Sequence, residues 1–117
     1  MSTILLVERQ KNSLTGALSE AGFCVRWEQD GREAISAADA SHIDAAIIDV
    51  DLADLTAARV AHELRARDPE LPIFVCTAFD EDAVTRWAVE DRMLVLEKPV
   101  DEARLVWLLQ AHVGNLV

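Results

Sequence analysis

Short apolar runs alternate along the whole chain with segments whose apolar residues recur at helical spacing. Five of these runs are strand-sized and largely apolar, and most of them show no alternation of polar residues. They cover residues 3–7, 23–28, 45–49, 73–76 and 93–96. Continuous runs of this kind are typical of strands buried on both faces. Because a helical segment follows each run, the pattern predicts an α/β fold with a parallel sheet between two layers of helices.

Capping and helix-ending residues define where the predicted helices begin and end. Gly22 is predicted to end the first helix, over residues 14–22, and Asp30 and Asp101 to cap the second and the fifth. Apolar positions on one side predict the third helix (Ala57, Val60, Ala61, Leu64) and the fourth, over residues 80–91 (Val84, Trp87, Ala88). Since no repeat or linker interrupts the pattern, we predict one domain spanning residues 1–117.

Composition narrows the class of protein. With 117 residues the chain can bury a core, and its net charge of −10 argues against direct binding to nucleic acid or to an anionic membrane. No apolar run approaches membrane-spanning length, and residues 1–8 do not resemble a signal peptide, so we expect a cytoplasmic protein. Cys24 and Cys76 lie in apolar runs and are expected to be buried, reduced thiols.

Polar residues that could react or bind a ligand follow four of the predicted strands. Glu8 follows the first, Asp49 ends the third with Asp51 two residues later, Thr77 follows the fourth, and Lys98 comes soon after the fifth. In an open parallel sheet, ligands bind beyond the carboxyl ends of the strands. The fold is therefore expected to gather these residues at one edge.

This combination of side chains suits a phosphoryl group. An aspartate such as Asp49 can attack phosphorus and become an acyl phosphate. Lys98 can pair with phosphoryl oxygens, Thr77 can donate a hydrogen bond to one of them, and the acids can hold a Mg²⁺ ion that neutralises developing charge.

Four segments together resemble the response regulator receiver domain of two-component signalling, and the resemblance covers essentially the whole chain. They are "ILLVE" with its acidic corner, "DAAIIDVDL" with Asp49, "IFVCTA" with Thr77, and "EKP" with Lys98 and Pro99. The resemblance implies a flavodoxin-like fold of five strand–helix units with strand order 2-1-3-4-5. It also implies a cis peptide between Lys98 and Pro99, which proline permits.

The same resemblance implies roles for the site residues. Asp49 would be the phosphoacceptor, supported by Lys98 and Thr77. Glu8, Asp49 and the backbone carbonyl of Asp51 would bind Mg²⁺. The implied partners are a histidine kinase or phosphotransfer protein that donates the phosphoryl group, and a downstream effector protein or domain. A homodimer is a further possibility that the family suggests.

Arg9 departs from the family pattern, because a second acid usually stands there. One interpretation is that Arg9 points to solvent, while Glu8, Asp49 and the Asp51 carbonyl bind Mg²⁺ more weakly. The other is that the Arg9 guanidinium pairs with Asp49 and takes the place of the cation, which would hold the carboxylate ionised. The residues alone leave both interpretations open.

Two other positions, Val95 and Phe79, are predicted to modulate the domain, and a third, Trp107, to form a partner surface. Val95 stands where the family has an aromatic switch residue, so no large ring can swing there. Phe79, two residues after Thr77, could shield an acyl phosphate from water. Trp107 lies on the outer side of the last helix by its spacing, which indicates a partner surface or a singly exposed aromatic residue.

These observations favour a phosphoacceptor receiver domain, either stand-alone or the N-terminal part of a longer regulator. The alternative is a receiver-like interaction module that works without phosphorylation, with Arg9 replacing the metal. A flavodoxin-like binder of a phosphorylated small molecule is disfavoured, because Glu8 would repel phosphate. We do not expect a turnover enzyme, since no Cys–His or Ser–His pair lies at the predicted edge.

Overall fold

A computed structural model of the protein describes residues 1–52, 54–78 and 82–113, with only the backbone of Asp82 included. The strands are β1 (Thr3–Val7), β2 (Cys24–Glu28), β3 (Ala45–Asp49), β4 (Ile73–Thr77) and β5 (Leu94–Glu97). The helices are α1 (Leu14–Glu20), α2 (Gly31–Ala40), α3 (Ala57–Arg67), α4 (Asp82–Glu90) and α5 (Glu102–Val113). The strands form one parallel sheet in the order β2-β1-β3-β4-β5, as predicted.

The continuous apolar runs are explained by burial of both sheet faces. In β1, Leu5 and Val7 pack into the core beneath α2, α3 and α4, whereas Ile4 and Leu6 pack into the core beneath α1 and α5. All four side chains are fully buried. Because successive side chains of a strand point to opposite faces, a strand covered on both sides has no position for a polar residue.

The predicted boundary residues act as expected. Gly22 has a φ of 96°, a left-handed conformation that favours glycine, and it follows the end of α1 at Glu20. Asp30 accepts a hydrogen bond from the Glu33 N–H at 2.9 Å and caps α2. Asp101 accepts one from the Arg104 N–H at 3.1 Å, just before α5. These local signals set the helix starts that surround the sheet.

The two cysteines differ in exposure. Cys76 in the central strand β4 is buried, and burial, followed by the charges of Glu8 and Asp49, raises the pKa of its thiol to about 12. Cys24, however, is exposed, so the prediction that it is buried is wrong. Cys24 begins β2, which is an edge strand of the sheet, and edge strands are covered less completely than central ones.

Arg65 of α3 hydrogen-bonds to two turns, which lie at the amino ends of β4 and β5. Its guanidinium donates to the backbone carbonyl oxygens of Leu71 at 2.8 Å, Asp91 at 2.7 Å and Arg92 at 3.0 Å. Leu71 precedes β4, while Asp91 and Arg92 connect α4 to β5. The half-buried Arg65 therefore fixes the C-terminal end of α4 relative to α3.

None of the helices in the described ranges is both long and apolar enough to span a lipid bilayer.

Candidate functional site

Asp49 lies at the carboxyl end of β3, with its side chain held through both oxygens. It is 8% exposed. The Lys98 ammonium nitrogen lies 2.6 Å from Oδ2, and the backbone N–H of Asp51 donates to Oδ1 at 2.9 Å. The carboxylate is thus held in one orientation between a cation and a backbone donor.

Lys98 reaches Asp49 because of the chain path after β5. The Lys98–Pro99 peptide is cis, as the resemblance implies, and the Lys98 N–H donates to the carbonyl oxygen of Thr77 at 2.8 Å. Burial acts to lower the pKa of Lys98, but the hydrogen bond and the charge of Asp49 outweigh it, so the pKa is raised overall. Lys98 therefore carries its charge at neutral pH. Thr77, at the end of β4, is 4% exposed and lies beside this lysine.

Glu8 is the second buried acid at this edge, with 5% of its surface exposed. The side-chain amide of Asn12 donates to Oε2 of Glu8, and the Trp27 indole N–H donates to its backbone carbonyl at 3.0 Å. Burial, and next the negative charge of Asp49, raise the pKa of Glu8 from 4.5 to about 7. The two carboxylates are therefore close enough to repel each other.

Arg9 pairs with the exposed Asp51 rather than with the buried acids. Its guanidinium nitrogen lies 3.5 Å from Oδ2 of Asp51, and both side chains are more than half exposed. The ion-pair partner of Asp49 is Lys98 instead. This geometry corresponds to the interpretation in which Arg9 faces solvent, and it differs from the one in which Arg9 pairs with Asp49.

An open cavity of about 400 Å³ joins these groups. Its lining consists of residues 8–12 after β1, together with Asp49, Asp51 and Lys98. Lys98 contacts Asp49 in this cavity, and a bound divalent cation would further offset the charges of the two acids, so a phosphoryl group could approach Asp49 there. The cavity is therefore large enough to admit the phosphoryl group that the sequence predicts.

The oxygen ligands predicted for Mg²⁺ are Glu8, Asp49 and the backbone carbonyl of Asp51. Across the described parts of the chain, no three His, Cys, Asp or Glu side chains cluster as a metal site, and the predicted set consists of two carboxylates and one backbone carbonyl. Mg²⁺ prefers oxygen ligands and commonly keeps several waters. Because a further cation would offset the repulsion that remains between Glu8 and Asp49, the set fits a weakly bound Mg²⁺.

Val95 and Trp107, for which the sequence predicted other roles, do not line this cavity. Val95 is half-buried in β5 and packs against the core on the α2–α4 side. Trp107 projects from α5 with 67% of its surface exposed, as its spacing predicts. Phe79 lies outside the described residues. The roles given to these three residues stay predictions.

Comparison with known proteins decides the family. A family model described as "Response regulator receiver domain" matches residues 4–110 of the chain. The chain belongs to the response regulator receiver family. The receiver domain is the module of two-component signalling that the four sequence segments indicated.

Curated relatives agree with this assignment. The chain is 33% identical over 103 residues to the probable transcriptional regulatory protein TcrX of Mycobacterium tuberculosis, covering 86% of the chain and 41% of that protein. It is 34% identical over 92 residues to the response regulator MprA of Mycolicibacterium vanbaalenii, covering 79% of the chain and 37% of that protein. This receiver therefore spans less than half the length of these relatives.

Solved receiver structures share the fold. The receiver domain of the sensor histidine kinase PA1611 from Pseudomonas aeruginosa has a TM-score of 0.84 at 28% identity, covering 97% of this chain and 98% of that one. That structure has a magnesium ion coordinated in its active-site cleft. A two-component response regulator from Clostridium difficile has a TM-score of 0.91 at 22% identity, covering 98% of each chain, which supports the fold alone.

Sequence reasoning missed two residues at the receiver site. Neither Asn12 nor Trp27 was assigned to the site from the sequence, whereas both hydrogen-bond to Glu8. Asn12 had a detectable signal, because it stands four residues after Glu8 and two residues before the first apolar residue of a predicted helix, where an asparagine side chain commonly accepts a backbone hydrogen bond. The Trp27 contact had none, since it depends on how β2 and β1 align.

Proposed function

We propose that this receiver domain accepts a phosphoryl group on Asp49 from the phosphohistidine of a histidine kinase or phosphotransfer protein. The observation that carries the proposal is the 2.6 Å contact between Lys98 and Asp49, made at the base of an open cavity. A buried carboxylate with a fixed cation beside it is suited to attack an anionic phosphoryl group, because the cation offsets the repulsion between the two.

The transfer exchanges one bond to phosphorus for another. A carboxylate oxygen of Asp49 attacks the phosphorus, the bond from phosphorus to the donor imidazole nitrogen breaks, and the imidazole leaves with the bonding electron pair. Lys98 then pairs with an oxygen of the phosphoryl group in place of the Asp49 carboxylate. Mg²⁺, held by Glu8, Asp49 and the Asp51 carbonyl, would neutralise charge on the phosphoryl oxygens.

Phosphorylation would change the partner-binding surface by a shift of population between two conformations. The added charge would draw the Thr77 hydroxyl towards the phosphoryl group, with a coupling free energy of roughly 1–3 kcal/mol. Since Val95 provides no ring to rotate, the output would rest on α4 and the loop before it. Trp107 on α5 offers a contact for the downstream effector, or for a second copy of the chain.

No turnover reaction with an external substrate is part of this function. The domain would catalyse only the transfer to its own Asp49 and the later hydrolysis of the acyl phosphate. The strongly acidic composition supports protein partners over direct contact with nucleic acid. We place this phosphotransfer in the cytoplasm, where histidine kinases expose their phosphodonor histidines.

The test uses intact-protein mass spectrometry after incubation with acetyl phosphate and Mg²⁺. The wild-type protein should gain the mass of one phosphoryl group, and Asp49→Asn should gain none. Asp91→Asn, which alters an exposed acid in the turn after α4, serves as the matched control and should react like the wild type. An unmodified wild-type protein, or a modified Asp49→Asn protein, would refute the proposal.

A second function is favoured by one observation, the presence of Arg9 at the acidic corner. In that case the domain would bind its partner without phosphorylation. An effector that binds wild type and Asp49→Asn with equal affinity, together with no mass gain, would support this alternative. The position of Arg9 beside Asp51 makes it the weaker candidate, because the guanidinium does not neutralise Asp49 directly.

A further inference from the structure

Glu8 makes three hydrogen bonds that fix its position, two through its backbone and one through its side chain. Its backbone N–H donates to the Glu28 carbonyl at 3.1 Å, and its own carbonyl accepts from the Trp27 indole at 3.0 Å. These two bonds fix the backbone where β1 ends. The direction of the carboxylate depends on Asn12, whose side-chain amide donates to Oε2.

Asn12 is itself fixed by the start of α1. Its side-chain oxygen accepts a hydrogen bond from the Leu14 N–H at 2.9 Å, and Leu14 is buried in the core beneath α1 and α5. Because the amide oxygen faces a backbone donor, the amide nitrogen has to face the carboxylate. The Asn12 side chain, although on an exposed residue, thus connects the packed helix α1 to Glu8.

Asn12 lines the same cavity as Glu8, Asp49 and Lys98. It therefore acts within the site, at a corner where Arg9 supplies no carboxylate. With a single acid left at the end of β1, the direction of that acid matters more than in a corner with two. Hydrogen-bond partners of ligating groups commonly set their orientation and affect metal affinity.

We propose that Asn12 is a positioning residue for Glu8. By binding Oε2, it turns the other carboxylate oxygen of Glu8 towards Asp49, where the pair can hold a divalent cation. The inference rests on the proposed function for the identity of that cation as Mg²⁺. It adds a role for a residue that touches neither the phosphoryl group nor the metal.

The experiment compares the Mg²⁺ affinity of three variants with that of the wild type, by titration of backbone amide chemical shifts. Asn12→Ala removes both hydrogen bonds of the side chain. Asn12→Ser keeps an oxygen that can accept from the Leu14 N–H but is too short to reach Glu8. Ser13→Ala is the matched control, because Ser13 hydrogen-bonds to Glu102 instead of to Glu8.

Both Asn12 variants should raise the Kd for Mg²⁺ about tenfold, while Ser13→Ala leaves it unchanged. Urea unfolding should show that Asn12→Ser keeps wild-type stability, which separates positioning from capping of α1. A wild-type Kd in Asn12→Ser would overturn the inference, as would a wild-type protein that binds no Mg²⁺. If Asn12→Ser weakens Mg²⁺ binding but acetyl phosphate never modifies Asp49, the proposed function fails and the positioning role stands.

Discussion

The Lys98 ammonium nitrogen lies 2.6 Å from Oδ2 of Asp49, although 49 positions separate the two residues along the chain. The parallel sheet brings them together, because β3 and β5 both end at the same edge and β4 lies between them. The pair joins the last residue of β3 to the residue that follows β5.

Removal of the Lys98 charge should slow phosphorylation. Lys98→Met removes the cation that contacts Asp49, so the negative charges of Asp49 and the incoming phosphoryl group repel each other more strongly, even with Mg²⁺ present. We expect the rate of modification by acetyl phosphate to fall about 100-fold, as for loss of one preorganised charge-stabilising donor. Time-resolved intact mass gives the rate. Arg86→Met, which removes an exposed charge on α4, should retain the wild-type rate, and an equal loss in both variants would contradict the assignment.

Glu8 should make the stability of the metal-free protein depend on pH. Its pKa is about 7 when folded and 4.5 ordinarily, so the folded state holds a proton that the unfolded state releases between these values. The resulting stabilisation is fully present below pH 4.5 and is lost as the pH rises through 7. Glu8→Gln should therefore match the wild type at pH 4.5 and exceed it by about 1–3 kcal/mol at pH 8.

Urea unfolding in the presence of EDTA measures this difference. Glu20→Gln is the control, because Glu20 is exposed at the end of α1. Its difference from the wild type should be the same at both pH values. A constant difference between Glu8→Gln and the wild type over this range would show that Glu8 does not titrate as its burial and the charge of Asp49 require.

Replacement of Arg9 should strengthen Mg²⁺ binding. Arg9→Asp puts a carboxylate beside Glu8 and removes a positive charge from the rim of the cavity, so we expect the Kd for Mg²⁺ to fall about tenfold. Arg9→Gln removes the charge without adding a ligand and should produce a smaller change. If both variants bind Mg²⁺ equally well, the side chain at position 9 does not reach the metal, and only its charge matters.

Arg65 should contribute to stability far from the site. Arg65→Met leaves three backbone carbonyl oxygens without their donor, so we expect a loss of about 2–3 kcal/mol in the free energy of unfolding. Arg59→Met removes an exposed ion pair with Glu63 on the same helix and should cost less than about 1 kcal/mol. Urea unfolding distinguishes the two, and equal losses would contradict the role given to Arg65.

Most of the fold could be predicted from the sequence because its signals are local. The run at residues 45–49 is buried on both faces, and the observed β3 has those same bounds. Asp30 and Asp101 lie at helix starts and accept the capping hydrogen bonds that their side chains favour. In contrast, the exposure of Cys24 depends on how completely an edge strand is covered, which the apolar pattern around it does not express.

The site was predictable in its residues but not in all of its contacts. Lys98, Asp49 and Glu8 follow strands, and parallel strands fix where their ends meet. The ion-pair partner of Arg9 depends on the rotamer of its long, exposed side chain. Because the sequence offers both Asp49 and Asp51 as partners, it does not decide between them. The contact from Asn12 to Glu8 depends likewise on the turn after β1, whose shape is set by the packing of α1.

The most direct measurement of the central claim locates the phosphoryl group on the chain. After reaction with acetyl phosphate and Mg²⁺, borohydride reduces an aspartyl phosphate to homoserine, and tandem mass spectrometry identifies the position. The account predicts homoserine at position 49 and at no other aspartate. Homoserine at position 51 or 54 instead, or no homoserine in a folded protein, would contradict it.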